Sequence, residues 1–163
     1  MRETIGTTWI FQLVIAFILI FASYLAIMTN YAKAFKSKNE VVSIIEKYEG
    51  LTSGGLKGIG IVNNYLLASG YHSKGACTAG YYGAVRLDDF TPSAFEYVDN
   101  NNNKKYYYCV QKVTFTGTKV KSYYNVVLFF NLDLPVLGQL FTFRATGSTT
   151  ELDTTYDQDL FGV

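Results

Sequence analysis

The sequence predicts an α+β protein: a long N-terminal helix that is half membrane span and half stalk, then a short helix packed on an antiparallel sheet of four or five strands. Three observations carry that prediction. The twenty residues from Trp9 to Met28 contain no charge, and at about 1.5 Å per residue they cover roughly 30 Å, the hydrocarbon core of a bilayer. A helical pattern of apolar residues then runs on to Gly50, with no proline or glycine between residues 7 and 49. Beyond it, 14 Tyr and 12 Phe lie largely outside the span, among Thr and Asn, in runs that suit strands with polar-tipped aromatic side chains.

The chain divides accordingly into a short N-terminal segment (1–6), a helix (7–50) and one globular domain (51–163) with an acidic tail from about residue 151. A domain of roughly 110 residues is a common size, so a second one is not expected. A cleaved secretory signal is the rival reading of the apolar run. Signals have shorter apolar cores, about 7–15 residues, and end at a small-x-small site. Here Thr29-Asn30-Tyr31 follows instead, and the span is read as retained.

Past Met28 the apolar residues Tyr31, Phe35, Val42, Ile45 and Tyr48 recur at steps of three, four or seven, one face of a helix. Lys33, Lys36, Lys38, Glu40 and Glu46 fill the rest, and Gly50 supplies a stop. Two readings fit this extension: a juxtamembrane helix packed under its own domain, or an assembly helix that is apolar at one end and amphipathic at the other. The three lysines outweigh Arg2 and the α-amino group across the span, which by the positive-inside bias favours a cytoplasmic domain.

In the domain, Leu56, Ile59, Val62 and Leu66 give a second helix one apolar side, stopped at Gly70. "YYGAVRL" is the first strand candidate. "FTPSAFEYVDNNNNKKYYYCVQKVTFTG" reads as a strand, an Asn-rich turn and a longer strand, with a hairpin about Asn100 to Lys105, because consecutive Asn favour turns. "SYYNVVLFFNLDLP" and "QLFTFRATGSTTEL" complete the sheet around a loop containing Pro135. Glu151, Asp153, Asp157 and Asp159 make the tail acidic, which ordinarily means solvated.

Little here points to chemistry. A net charge of +1 gives no field that would draw the chain to nucleic acid. His72 is the only histidine and two cysteines lie apart from it, short of the three or four closely spaced ligands of a zinc site. No G-x-S-x-G surrounds a serine. "SGGLKGIG" lacks the GK[ST] ending of a phosphate loop and follows no strand. Asp88-Asp89 reads as a turn or cap. The expectation is therefore a non-enzyme with no cofactor and no metal. Cys77 and Cys109 pair if the domain is exported and stay reduced core thiols if it is cytoplasmic.

Two stretches carry a family resemblance: residues 7–50 as the helix, and "VVLFFNLDLPVLGQLFTFRATGSTTEL" as two strands around a Pro-containing turn with a small-polar ending. The chain resembles the type IV pilin-like architecture and, within it, the TadE-like pseudopilins, minor components of tight-adherence pili. The resemblance implies a prokaryotic envelope protein with an extracellular C-terminal domain. Its implied partners are other pilin-like subunits, the lipid bilayer and pilus assembly machinery. Leader cleavage in that family follows a small residue, for which Gly6 is the candidate; the fifth residue after it is Phe11, where the family carries Glu. On this reading Trp9, Phe11, Phe17 and Phe21 enter the deep helix bundle, and Tyr31, Phe35, Val42 and Ile45 form the contact face of the stalk. The alternative is a membrane-anchored binding module whose Tyr-rich strands, "YYGAVRL" and "KKYYYC", present an adhesive face to surface ligands.

Overall fold

A computed structural model of the chain describes residues 2–51, 57–100, 103–116, 120–134 and 138–153. Helix α1 (Arg2–Lys47) is unbroken over 46 residues, about 69 Å at the standard rise. It stops where the glycine predicted. Glu49 and Gly50 adopt positive φ, 52° and 128°, and the Gly50 N–H turns back to the Ile45 carbonyl at 2.9 Å. Helix α2 (Lys57–Ala68) starts against that end, its Ile59 N–H donating to the Leu51 carbonyl at 3.0 Å. It then runs back along α1 and closes at Gly70, whose φ is 69°. Ile59, Val62 and Leu66 are buried as their spacing predicted; Leu56 lies outside the described residues.

The strands are β1 (Tyr82–Ala84), β2 (Phe95–Tyr97), β3 (Tyr108–Thr116), β4 (Val120–Leu134), β5 (Gly138–Ser148) and β6 (Leu152–Asp153). Their spatial order is β2-β1-β3-β4-β5, with β6 paired to β4 and every pairing antiparallel. The class is the expected α+β, but the sheet has six strands where four or five were predicted. The sixth opens the acidic tail: Leu152 is buried opposite Ser122 and Glu151 pairs with Lys121 at 3.0 Å, so the tail begins as sheet. Asp157 and Asp159 lie outside the described residues.

The predicted hairpin about Asn100–Lys105 does not form. β1 lies between β2 and β3 and pairs with both, Gly83 facing Glu96 on one side and Cys109 on the other. Being antiparallel to a shared neighbour, β2 and β3 point the same way and are not hairpin partners; Asn101 and Asn102 lie outside the described residues. Gly83 makes the arrangement fit: a Cβ there would overlap the Tyr106 ring, which is fully buried.

One face of the sheet meets the helices. Tyr108 and Val110 of β3 and Tyr124, Val126 and Leu128 of β4 pack with Val41, Ile44 and Ile45 of α1 and with Ile59, Val62 and Leu66 of α2. Along β5, α1 keeps pace with the strand. Tyr31 reaches Phe143, Lys38 and Val42 lie over Gly147, and Glu46 accepts the Thr150 N–H at 2.7 Å. Fifteen helical residues and seven strand residues both rise about 23 Å, so the two elements stay in register without bending. Gly147 permits the approach, because a Cβ would stand 3.0 Å from Lys38 Cδ and Val42 Cγ2.

The opposite face is partly covered by the segment after α2. Gly75 exchanges backbone hydrogen bonds with Tyr106, and Cys77 is disulfide-bonded to Cys109 with Cα atoms 5.8 Å apart. The bridge closes 32 residues of sequence separation, which in the chain-entropy account contributes about 3–4 kcal/mol. Reduction of the full chain in detergent is expected to lower its unfolding free energy by about that amount. A urea midpoint unchanged by reductant would show that the bridge contributes no such stability.

Candidate functional site

The most unusual surface of the molecule is the bare half of α1. From Thr8 to Lys33 no side chain of the helix is buried, and Trp9, Phe11, Phe17 and Phe21 are 73%, 67%, 66% and 55% exposed. Large apolar side chains in such number are not stable facing water. This helix is long and apolar enough to cross a membrane. Its backbone bonds are satisfied within the helix, as a span requires. Gly6 lies inside α1.

The stalk residues divide. Ile45 is fully buried, Val42 half-buried against Gly147, and both belong to the seam with this chain's own sheet. Tyr31 and Phe35 stay exposed, their ring centroids 5.0 Å apart, with Lys38 Nζ 4.7 Å above the Phe35 ring. The amphipathic half therefore docks the domain, and the exposed apolar surface runs on past Met28 through this aromatic pair.

The five tyrosines of the Tyr-rich strands do not form an open face. Tyr106 and Tyr108 are fully buried, and Tyr81, Tyr82 and Tyr107 are half-buried. Tyr97, outside those stretches, is exposed and packs edge-on to Tyr82 at 5.3 Å.

Sequence reasoning missed a buried polar network. Asn63 sits on the apolar side of α2, a helical step from Ile59 and Leu66, and is wholly buried. Its amide donates to the Asp89 carbonyl at 2.9 Å and its carbonyl accepts the Tyr108 hydroxyl at 2.8 Å. The signal was a polar residue on a core stripe. The Tyr71 hydroxyl accepts the Phe129 N–H at 2.7 Å and donates to the Tyr107 carbonyl at 2.8 Å. Thr149 bonds both backbone groups of Tyr124.

Burial pushes both phenols, Tyr71 and Tyr108, well above the ordinary tyrosine value of 10.0, the Phe129 N–H offsetting part of the effect at Tyr71. A folded-state value raised above the unfolded one gives stability that is complete below the unfolded value and lost as pH rises past it. The urea midpoint is expected to fall above about pH 10, and to fall less steeply in Tyr108→Phe. Identical alkaline slopes for the two proteins would refute that role for Tyr108.

The other sequence candidates have structural roles. Asp89 caps the 3-10 turn Pro92–Ala94, accepting from the Thr91 hydroxyl at 2.6 Å and the Thr91 N–H at 2.9 Å, which holds its carboxyl below the usual range. Gly58 lets α2 touch the end of α1; a Cβ would come within 2.9 Å of the Leu51 Cα. Among the described residues no three His, Cys, Asp or Glu side chains are placed to hold a metal ion. His72 lines a polar cleft of about 240 Å³ with Asn30, Lys33, Ser37, Ser73 and Asn131.

Fold and surface together define a class: an α+β head, stapled by a disulfide, on a single helix able to span a membrane. Comparison with protein-family models, curated proteins and solved structures gives no match.

Proposed function

We propose that this chain is a structural subunit of a pilus-like filament, a TadE-like pseudopilin, stored in the membrane and assembled through α1. The observation that carries the reading is the unbroken passage of one helix from bare apolar surface into the core of its own head. A simple anchor needs only a flexible tether between span and domain. Here Ala34, Val41, Ile44 and Ile45 fix the head to the helix, so the position of each helix in a bundle would dictate the position of each head.

The disulfide supports a head in an oxidising compartment outside the cytoplasm. The opposing lysines weigh less than their number suggests. Lys38 is half-buried, its stem against Gly147 and its ammonium over Phe35, which is a packing reason for its presence. A membrane-anchored binding module is the competing function, but of the five tyrosines it was to display Tyr106 and Tyr108 are buried and the other three are half-buried.

Shearing intact cells and fractionating the released material tests the proposal. The chain is expected in high-mass assemblies; confinement to the membrane fraction would favour the anchored module. An impermeant thiol reagent tests the compartment independently. Labelling of Cys77 and Cys109 only after impermeant reductant is expected, and labelling only after lysis would place the head in the cytoplasm.

A further inference from the structure

The cleft at the foot of the head lies at an unusual height. Met28 closes the apolar run, so Asn30 stands about 3 Å beyond the hydrocarbon edge at the helical rise, within a headgroup layer about 5–7.5 Å thick per leaflet, and Lys33, about 7.5 Å out, stands at its outer boundary. Asn30, Lys33 and Ser37 follow one another at steps of three and four, on one face of α1. α2 brings the opposite wall back toward the membrane, to about the level of Ser37. Its twelve residues return about 18 Å along α1, and Gly70 then turns the chain so that His72 and Ser73 face the stalk.

The walls of the cleft offer donors. Lys33 carries the one full positive charge, no carboxylate lines the space, and Lys33 forms no ion pair among the described residues. Ser73 accepts the Asn131 N–H at 3.3 Å, which leaves its own proton to donate. Two of the last carbonyls of α2 are occupied: Leu66 O takes the Ser69 hydroxyl and the Tyr71 N–H, and Leu67 O takes the Gly70 N–H.

We infer that this cleft binds the phosphate of an anionic phospholipid headgroup, with Lys33 supplying the charge and His72, Ser73 and Asn30 the directed hydrogen bonds. The inference rests on α1 lying in a bilayer as a span, and on nothing else in the filament proposal. A bound headgroup would hold the head against the membrane surface while the subunit is stored, and the contact would be lost when the helix leaves lipid.

The test uses the full chain in a neutral detergent, titrated with phosphatidylglycerol, with phosphatidylcholine of the same acyl chains, and with inorganic phosphate, and read by native mass spectrometry. One phosphatidylglycerol per chain is expected to be retained in preference to phosphatidylcholine. Lys33→Gln should weaken retention about fivefold, since one lysine near an anionic surface contributes about 1 kcal/mol. His72→Gln should also weaken it, whereas Lys36→Gln, about one turn farther along α1 and outside the cleft, should not. Equal losses for Lys33→Gln and Lys36→Gln, or equal retention of both lipids, would overturn the site as diffuse surface attraction. Displacement of the lipid by inorganic phosphate at equal concentration would overturn the lipid assignment in favour of free phosphate. Alkaline carbonate washing of membranes separates the premises: a chain that washes off loses span and site together, and one that stays but binds no phosphatidylglycerol loses the site alone.

Discussion

Phe17→Asp is expected to remove the chain from sheared high-mass material and to deplete it from the membrane fraction. Phe17 lies near the middle of the uncharged run from Trp9 to Met28 and is 66% exposed, so in the folded chain it has no protein cover of its own. A carboxylate at the centre of a bilayer costs about 2.5–3.5 kcal/mol on insertion scales. The same carboxylate would fare no better in a filament, where neighbouring helices would have to bury it without a basic partner, there being no Lys or Arg between Trp9 and Met28. Phe17→Leu keeps the apolar surface and should preserve both fractions. Normal filament output from Phe17→Asp would count heavily against an assembly helix of this kind.

Tyr71→Phe is expected to destabilise the head by about 2–6 kcal/mol, because two buried backbone groups lose their partner and each unsatisfied group costs about 1–3 kcal/mol. The ring of Tyr71 stays packed edge-on to Phe130 at 5.6 Å, so little volume changes. The Phe129 N–H and the Tyr107 carbonyl, by contrast, both lose the hydroxyl that bridges them. Against a total stability of about 5–15 kcal/mol for a domain of this size, the loss is large. Urea unfolding of the full chain in detergent, followed by near-ultraviolet circular dichroism, measures it. A loss below about 0.5 kcal/mol would mean that water replaces the hydroxyl at no cost, and that the phenol holds β3 to β4 only nominally.

Much of the architecture was legible because its signals are local. An uncharged run of membrane length, a helical period without breakers and a glycine at the end of each helix are read from neighbours in the chain, and α1, α2 and the five longer strand candidates lie where those signals put them. The Asn-rich hairpin failed for a different reason. A turn signal says that the chain reverses, and it carries no information about which strand slips between the two arms; here that was settled by the close fit of Gly83 beneath Tyr106. β6 was missed because two residues, Leu152 and Asp153, are too few to show a period.

Of the residues named for function, Trp9, Phe11, Phe17 and Phe21 stand exposed on a helix long and apolar enough to cross a membrane, a feature that composition alone makes legible. The stalk face was less readable. Tyr31, Phe35, Val42 and Ile45 share a spacing, but Val42 and Ile45 face this chain's own β5 and core while Tyr31 and Phe35 remain uncovered. Periodicity reports that a face is apolar, whatever covers it.

By itself, the sequence determined that this protein has a membrane-length apolar helix, an unbroken stalk, a tyrosine-rich α+β head and two cysteines whose pairing it left open. Only the tertiary structure decided that they do pair, that β1 separates β2 from β3, that Asn63 and Tyr71 are buried hubs, and that Lys33 and His72 share a cleft at the base of the head. The division follows from range. Hydrophobic period and turn chemistry act between residues a few positions apart, whereas a disulfide across 32 residues, a hydrogen bond from Asn63 to Tyr108 or a cleft between α1 and the end of α2 depends on how distant segments close-pack.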